Sequence, residues 1–207
     1  LNVYKDNIGS IYNNLFNIYF MWLLIGGGFL GLIVLIIIFA IVTYNTLIGM
    51  KNKVREAASD IDVQLKRRYD LIPNLIETVK GAGKYESETL EKVIKARQQA
   101  IDIQGINKEK AEAENMLTGA LRQLFALSES YPELKANQNY LELQQELVDT
   151  EDRILASRRF YNSTVEDYNT YQDQFPAIIF KGLAGAKPAD FFEITNPKER
   201  ENIQVKF

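Results

Sequence analysis

The chain has 207 residues and a formal net charge of −3, enough for one domain plus a membrane segment. It contains no cysteine and no histidine. This excludes disulfides, thiolate metal sites, cysteine nucleophiles and imidazole acid–base chemistry, and the mild acidity does not suit a nucleic-acid partner.

No charged residue stands between Asp6 and Lys51. The most apolar part is MWLLIGGGFLGLIVLIIIFAIVT, residues 21–43. A bilayer core needs about 20 apolar helical residues, so a transmembrane helix is predicted over 21–43. A cleaved signal peptide fits worse, because the apolar run is long and Lys5-Asp6 is not a basic leader. The chain opens at Leu1 rather than methionine, so residues ahead of it are expected. Lys51, Lys53 and Arg55 follow the span, then Lys66, Arg67 and Arg68. The positive-inside rule places the C-terminal part in the cytoplasm and the N-terminus outside. The lipid bilayer is therefore the first expected partner. The three nearest basic residues suit anionic headgroups, at about 1 kcal/mol each.

Residues 1–20 are predicted as an amphipathic N-terminal segment. Ile8, Ile11, Tyr12, Leu15, Ile18 and Tyr19 share one helical face, and Asn7, Ser10, Asn14 and Asn17 share another. Two placements stay open, a helix lying at the interface, somewhat favoured, or a continuation of the span. Inside the span, Gly27 and Gly31 form a small-xxx-small pair, a spacing that lets helix backbones approach closely in lipid.

Residues 44–175 are predicted as a helical bundle. Their composition is rich in Ala, Leu, Glu, Lys and Gln, and no stretch alternates convincingly with period two. The first bundle helix runs on from the membrane, with Leu47, Val54, Ala58, Ile61, Leu65, Ile72, Leu75 and Val79 as its seam. Lys51 and Arg68 fall in the same register as polar interruptions. Gly81 and Gly83 end this helix. A second helix has Leu90, Val93, Ile94, Arg97 and Ile101 inward. Gly105 and Asn107 mark the next turn, with Asn107 as N-cap. A third helix has Met116, Leu117, Ala120, Leu121, Leu124 and Phe125 inward. The fourth runs from about residue 133 to 171 on the stripe Tyr140, Leu143, Leu147, Ile154, Tyr161, Val165 and Tyr168. Short connections predict an all-α, antiparallel four-helix bundle with a long first and fourth helix. The ends of that long pair extend past the middle helices and need cover from lipid, a partner or the tail.

Residues 176–207 hold Pro176, Pro188 and Pro197 and are predicted as an extended strap. Its aromatics, with Phe175 just before them, are Phe180, Phe191, Phe192 and Phe207, expected to dock onto the bundle of the same chain.

Two long stretches resemble the LemA family. They are SDIDVQLKRRYDLIPNLIETVKG, residues 59–81, and SYPELKANQNYLELQQELVDTEDRILASRRFYNSTVEDYNTYQDQFP, residues 130–176. The terminal FFE and VKF are similar to the same family's C-terminal pattern. The resemblance covers residues 44–207. It implies a bacterial single-pass membrane protein with a long-helix bundle usually assigned to the cytoplasm, and it brings no established catalytic residues. One departure stands out: Tyr85 occupies the place where family members commonly carry a histidine, before Glu86.

Within the first stretch, Arg67, Arg68, Asp70, Pro73 and Asn74 are structural motif candidates; within the second, Arg158, Arg159, Tyr161 and Asn162 are. Pro73 removes a backbone donor and crowds the carbonyl of Tyr69, predicting a kink or break. Asp70 and Asn74 are candidates to satisfy the freed groups. The two arginine doublets are expected to pair with Asp60, Asp62, Asp70, Glu151 or Asp152, ahead of binding a phosphate or headgroup. Asp60, Asp62, Asp70 and Glu77 read as a solvated face rather than an active site. Asn162-Ser163-Thr164 matches a glycosylation acceptor and reads as chance on a cytoplasmic helix. No catalytic residue, cofactor or metal is expected, since helical carboxylate metal sites usually include a Glu-x-x-His element. The chain is expected to be a non-enzymatic structural or interaction protein of the bacterial plasma membrane. It is expected to form a homo-oligomer, with an adaptor or regulator of another membrane protein, such as an envelope protease, as the alternative and a carboxylate-based enzyme ranked below both.

Overall fold

The computed structural model describes residues 2–81 and 87–193, with side chains from Leu15 onward except at residue 18. Among these residues the regular secondary structure is all helical, without strands. The helices are α1 (Asn2–Gly81), α2 (Ser87–Asp102), α3 (Lys108–Ser128), α4 (Pro132–Lys135), α5 (Gln138–Asp173) and α6 (Ala177–Phe180). Residues 82–86, with Tyr85, and the end of the tail, with Pro197 and Phe207, lie outside the described residues.

α1 is one helix of 80 residues, about 120 Å at 1.5 Å per residue. Residues 2–20 belong to it, so the N-terminal segment and the span share one unbroken backbone. The face of Ile8, Ile11 and Tyr12 lies outside the described side chains. α1 carries a stretch long and apolar enough to cross a membrane, and its side chains there are exposed on every face. The helix also continues through Pro73 without the break that was one of the two expectations there.

From Thr43 onward α1 gains a buried face. It lies along α5, while α2 lies along α3. Three apolar clusters follow one another along α1. Nearest the span, Leu47 packs with Tyr168, Ala184 and Ala186. In the middle, Ala57, Ile61 and Leu65 meet Ala111, Ile154, Tyr161, Val165 and Phe192. Farthest from the span, Ile72, Leu75, Ile76 and Val79 join Leu90, Val93, Leu117, Leu121, Leu124, Tyr140 and Leu147. Only the last cluster draws on all the longer helices. α2 and α3 are short, and beside the span their place is taken by the tail.

The predicted seam needs local adjustment. Ala57 is fully buried and Ala58 partly so, and Lys51 is exposed. Ile94 and Met116, expected inward, are 43% and 61% exposed. The inner face of α2 is instead Leu90, Val93, Ala96 and Ala100, which turns Ile94 outward. The predicted fourth helix is divided. α4 ends at Lys135, and Asn137 starts α5 by accepting the N–H of Tyr140 at 3.1 Å. Asn107 caps α3 as expected, accepting the N–H of Lys110 at 2.8 Å. After a turn at residues 181–185 the tail continues without regular secondary structure to residue 193. Of its described aromatics, Phe192 is fully buried, while Phe175 and Phe191 are exposed.

Candidate functional site

The densest polar cluster lies inside the bundle, around Arg68. Its position in the α1 seam forces the guanidinium between helices, with 1% of the side chain exposed. Nη2 donates to Glu114 on α3. Nη1 donates to Glu151 on α5 and to Thr118 on α3, the latter at 2.9 Å. Glu114 is 2% exposed and also accepts from the Tyr69 hydroxyl. Lys110 lies 3.6 Å from Glu114 and donates to the carbonyls of Ala100 at 2.6 Å and Ile103 at 3.1 Å. Its ammonium also sits 5.4 Å from the Tyr69 ring centre. Two cations thus face two carboxylates, so the buried charges balance. Burial and the neighbouring Glu114 carboxylate push the Tyr69 hydroxyl well above the ordinary tyrosine range.

Pro73 acts through a neighbouring residue. It cannot donate to the carbonyl of Tyr69 four residues earlier. Arg97 of α2 fills that vacancy, donating from Nε to the Tyr69 oxygen at 2.9 Å. The missing helix bond thereby becomes a tie between α1 and α2. Asp70 and Asn74 were candidates for this role, but both are exposed.

The arginine doublets divide. Arg68 is buried and meets Glu151, as expected, together with Glu114, which was not anticipated. Arg67 is half exposed and lies 3.9 Å from Glu146. Arg159 is exposed. Arg158 serves the tail: it sits 4.8 Å from the Phe192 ring centre and donates to the Phe192 carbonyl at 3.3 Å and to Asn115 at 3.4 Å. Burial lowers its pKa.

Asn162 and Asn169 explain how the tail is held. The Asn162 amide accepts the N–H of Phe192 at 2.8 Å and donates to its carbonyl at 3.4 Å. The Asn169 amide does the same for Ala189, both contacts at 2.9 Å. Seven helical residues rise about 10.5 Å, and three extended residues span about 10 Å. The spacings match, so one helix face reads two tail peptides in register. Tyr161 adds a bond from its hydroxyl to the Asp190 carbonyl at 2.9 Å. Asn162 and Tyr161 were legible as motif residues; Asn169, seven residues on, was missed. Its signal was the repeated Tyr-Asn pair at 161–162 and 168–169.

Asp60, Asp62, Asp70 and Glu77 are exposed along α1. Partial burial raises the pKa of Asp62, opposed by Lys110. Among the described residues, no group of three acidic side chains is placed to hold a metal. A groove of about 400 Å³ opens between α1 and α5, lined by Met50, Lys53, Glu56, Asp60, Phe160, Thr164 and Asp167. The Arg68 cluster spends its hydrogen bonds joining three helices, an arrangement suited to fixing register.

The model of the LemA family matches residues 57–207. The chain belongs to the LemA family. It is 29% identical over 126 residues to protein LemA of Metamycoplasma hominis, covering 61% of this chain and 58% of that one. It is 26% identical over 175 residues to magnetosome protein MamQ 2 of Paramagnetospirillum magneticum, covering 72% and 64%. MamQ of Magnetospirillum gryphiswaldense is 22% identical over 174 residues, with the same coverage of 72% and 64%. The chain thus spans less than two thirds of these relatives. The LemA match includes the Arg68 cluster, Pro73 and both tail-binding asparagines.

Proposed function

We propose that this LemA-family chain is a membrane-anchored, non-enzymatic structural or interaction protein that self-associates. Its bundle is an antiparallel four-helix arrangement on the cytoplasmic side of a bacterial plasma membrane. The descending order of α5 partners along α1 supports the antiparallel arrangement: Leu47 with Tyr168, Arg67 with Glu146. The observation that carries a non-catalytic role is the Arg68 cluster, whose buried charges are paired with one another across helices. Self-association is supported by the spacing of Gly27 and Gly31 in the span, which lets helix backbones approach closely in lipid. The family's magnetosome-named relatives are compatible with a membrane setting.

The test is sizing after detergent extraction, together with cross-linking in intact membranes. A ladder of cross-linked species is expected, weakened by Gly27→Leu combined with Gly31→Leu. A clean monomer at every concentration in both experiments would sink self-association.

One observation favours the adaptor reading as a second possibility. Phe160 is 60% exposed in the groove beside Lys53, Glu56 and Asp167, a mixed apolar and charged surface suited to another membrane protein. Capture after in-membrane cross-linking separates the two: recovery of this chain alone counts against an adaptor.

A further inference from the structure

The segment joining α5 to the tail lies at the end of the bundle nearest the span. Tyr171, on the last turn of α5, packs in the same cluster as Tyr44 and Leu47, where α1 leaves its apolar stretch. The chain then continues past Asp173, reverses through α6 and the turn at residues 181–185, and comes back along α5, where Asn169 holds Ala189 and Asn162 holds Phe192. The reversal therefore projects beyond the bundle toward the bilayer side. α6 lies against both α5 and α1. Ala177, Ala184 and Ala186 face inward and are buried, and Lys51 donates to the Gly185 carbonyl at 3.2 Å.

The outer surface of this reversal is apolar. Phe175 and Leu183 are 77% and 78% exposed, and Ile178 and Ile179 are 51% and 64% exposed. Elsewhere on the bundle, Val63, Ile94 and Met116 are exposed singly, and Leu141, Val148 and Leu155 recur seven residues apart along α5 at 37–44% exposure, so the reversal is the denser and more exposed apolar surface. From Gln174 to Ala186 the only charged residue is Lys181, and its ammonium is paired with Asp173 at 2.6 Å. Such a surface is costly in water and suited to the boundary between headgroups and acyl chains.

We propose that the turn over residues 175–183 enters the lipid interface as a second membrane contact. The proposal rests on α1 crossing the membrane, and its occupant is lipid because the surface is continuous with that span. Two contacts, one through α1 and one through the turn, fix the tilt of the bundle against the membrane, which a single helix leaves free. The inward-facing alanines bind the turn to Leu47, so the bundle and the turn move as one body.

The chain has no cysteine, so single-cysteine variants report without background. The full chain is reconstituted in phosphatidylcholine–phosphatidylglycerol vesicles with a nitroxide at Ile179→Cys or, separately, Leu183→Cys. Val34→Cys in the span and Ile94→Cys on α2 are the lipid and water references. Power saturation measures access of oxygen, which favours lipid, against access of a nickel chelate, which stays in water. The oxygen-to-nickel ratio at both turn positions is expected severalfold above that at Ile94→Cys. A water-like ratio equal to Ile94→Cys overturns the proposal. Protection from both reagents also overturns it, assigning the surface to a protein partner or a second copy. A lipid signal at Val34→Cys with a water signal at the turn removes this proposal alone, whereas a water signal at Val34→Cys removes the membrane span as well.

Discussion

Arg97 and Tyr69 are joined by a single bond with a specific origin: the guanidinium Nε of Arg97 donates to the Tyr69 carbonyl at 2.9 Å. That carbonyl is available because Pro73, four residues on, has no N–H to give it. A proline inside a helix costs about 3 kcal/mol or more when its freed groups stay unsatisfied. Here a half-buried cation from a second helix meets the freed acceptor. Arg97→Ala is expected to destabilise the full chain by about 2 kcal/mol, the scale of a hydrogen bond to a charged group. With Pro73→Ala in the background, the alanine N–H restores the helix bond and Arg97 is needed less. Urea unfolding followed by helical circular dichroism in micelles should show coupling of at least about 0.5 kcal/mol. Equal costs of Arg97→Ala in both backgrounds would break the link between the two residues.

The Arg68–Glu114 pair makes a stronger demand. Both side chains are almost wholly buried, at 1% and 2% exposed. Removing one partner of such a pair leaves a buried charge and costs about 3–5 kcal/mol. Arg68→Ala should therefore be among the most destabilising single changes in the bundle. Glu114→Gln keeps acceptors for Arg68 and Tyr69 and should cost less. If Arg68→Ala shifted the urea midpoint no more than an exposed change such as Arg159→Ala, the cluster would not be holding the helices together.

Much of this fold was legible in the sequence, and the reasons differ by element. The span declares itself because an uncharged apolar run has few other stable settings. The α1 and α5 seams declare themselves because residues such as Ile61, Leu65, Ile154 and Val165 recur at helical spacing, and the Asn107 cap has a local chemical signature. Arg68 was visible as an interruption in a seam. Its main partner was not, because Glu114 lies on a different helix and single-sequence periodicity carries no pairing between helices. A kink or break at Pro73 was anticipated from local physics; the helix is unbroken there, and a tertiary donor, Arg97, meets the freed carbonyl. Asn169 was passed over because asparagine on a helix usually reads as surface, and its role appears only once the tail lies alongside.

The two asparagines predict a local phenotype. Asn162 and Asn169 hold Phe192 and Ala189 through paired amide contacts. Replacing either with alanine should free the tail while leaving the distal cluster of Leu117, Leu121 and Tyr140 intact. Limited proteolysis should then cut within residues 186–193 severalfold faster, with little change in helix content. Asn162→Asp keeps the acceptor for the Phe192 N–H but loses the donor to its carbonyl, so its effect should be intermediate. Cleavage as slow as in the wild type in both alanine variants would mean that Phe192 burial alone retains the tail.

The buried tyrosines set the response to alkali. The Tyr69 hydroxyl donates to Glu114, and burial first, then that carboxylate, raises its pKa above the ordinary value of 10.0. Burial also raises Tyr140 and Tyr161. In the unfolded chain these hydroxyls ionise near pH 10. Between that value and the raised folded pKa, the folded protein binds more protons than the unfolded one. The stabilisation these hydroxyls contribute is therefore complete below about pH 10 and is lost as pH rises further. Each fully shifted tyrosine contributes a slope of up to about 1.4 kcal/mol per pH unit. Tyr69→Phe lowers stability at neutral pH by removing a donor to Glu114, yet flattens the decline between about pH 10 and 11. Chemical unfolding across that interval compares the two slopes. Identical slopes in wild type and Tyr69→Phe would mean that this hydroxyl ionises as readily in the fold as in water, which its bond to a buried carboxylate forbids.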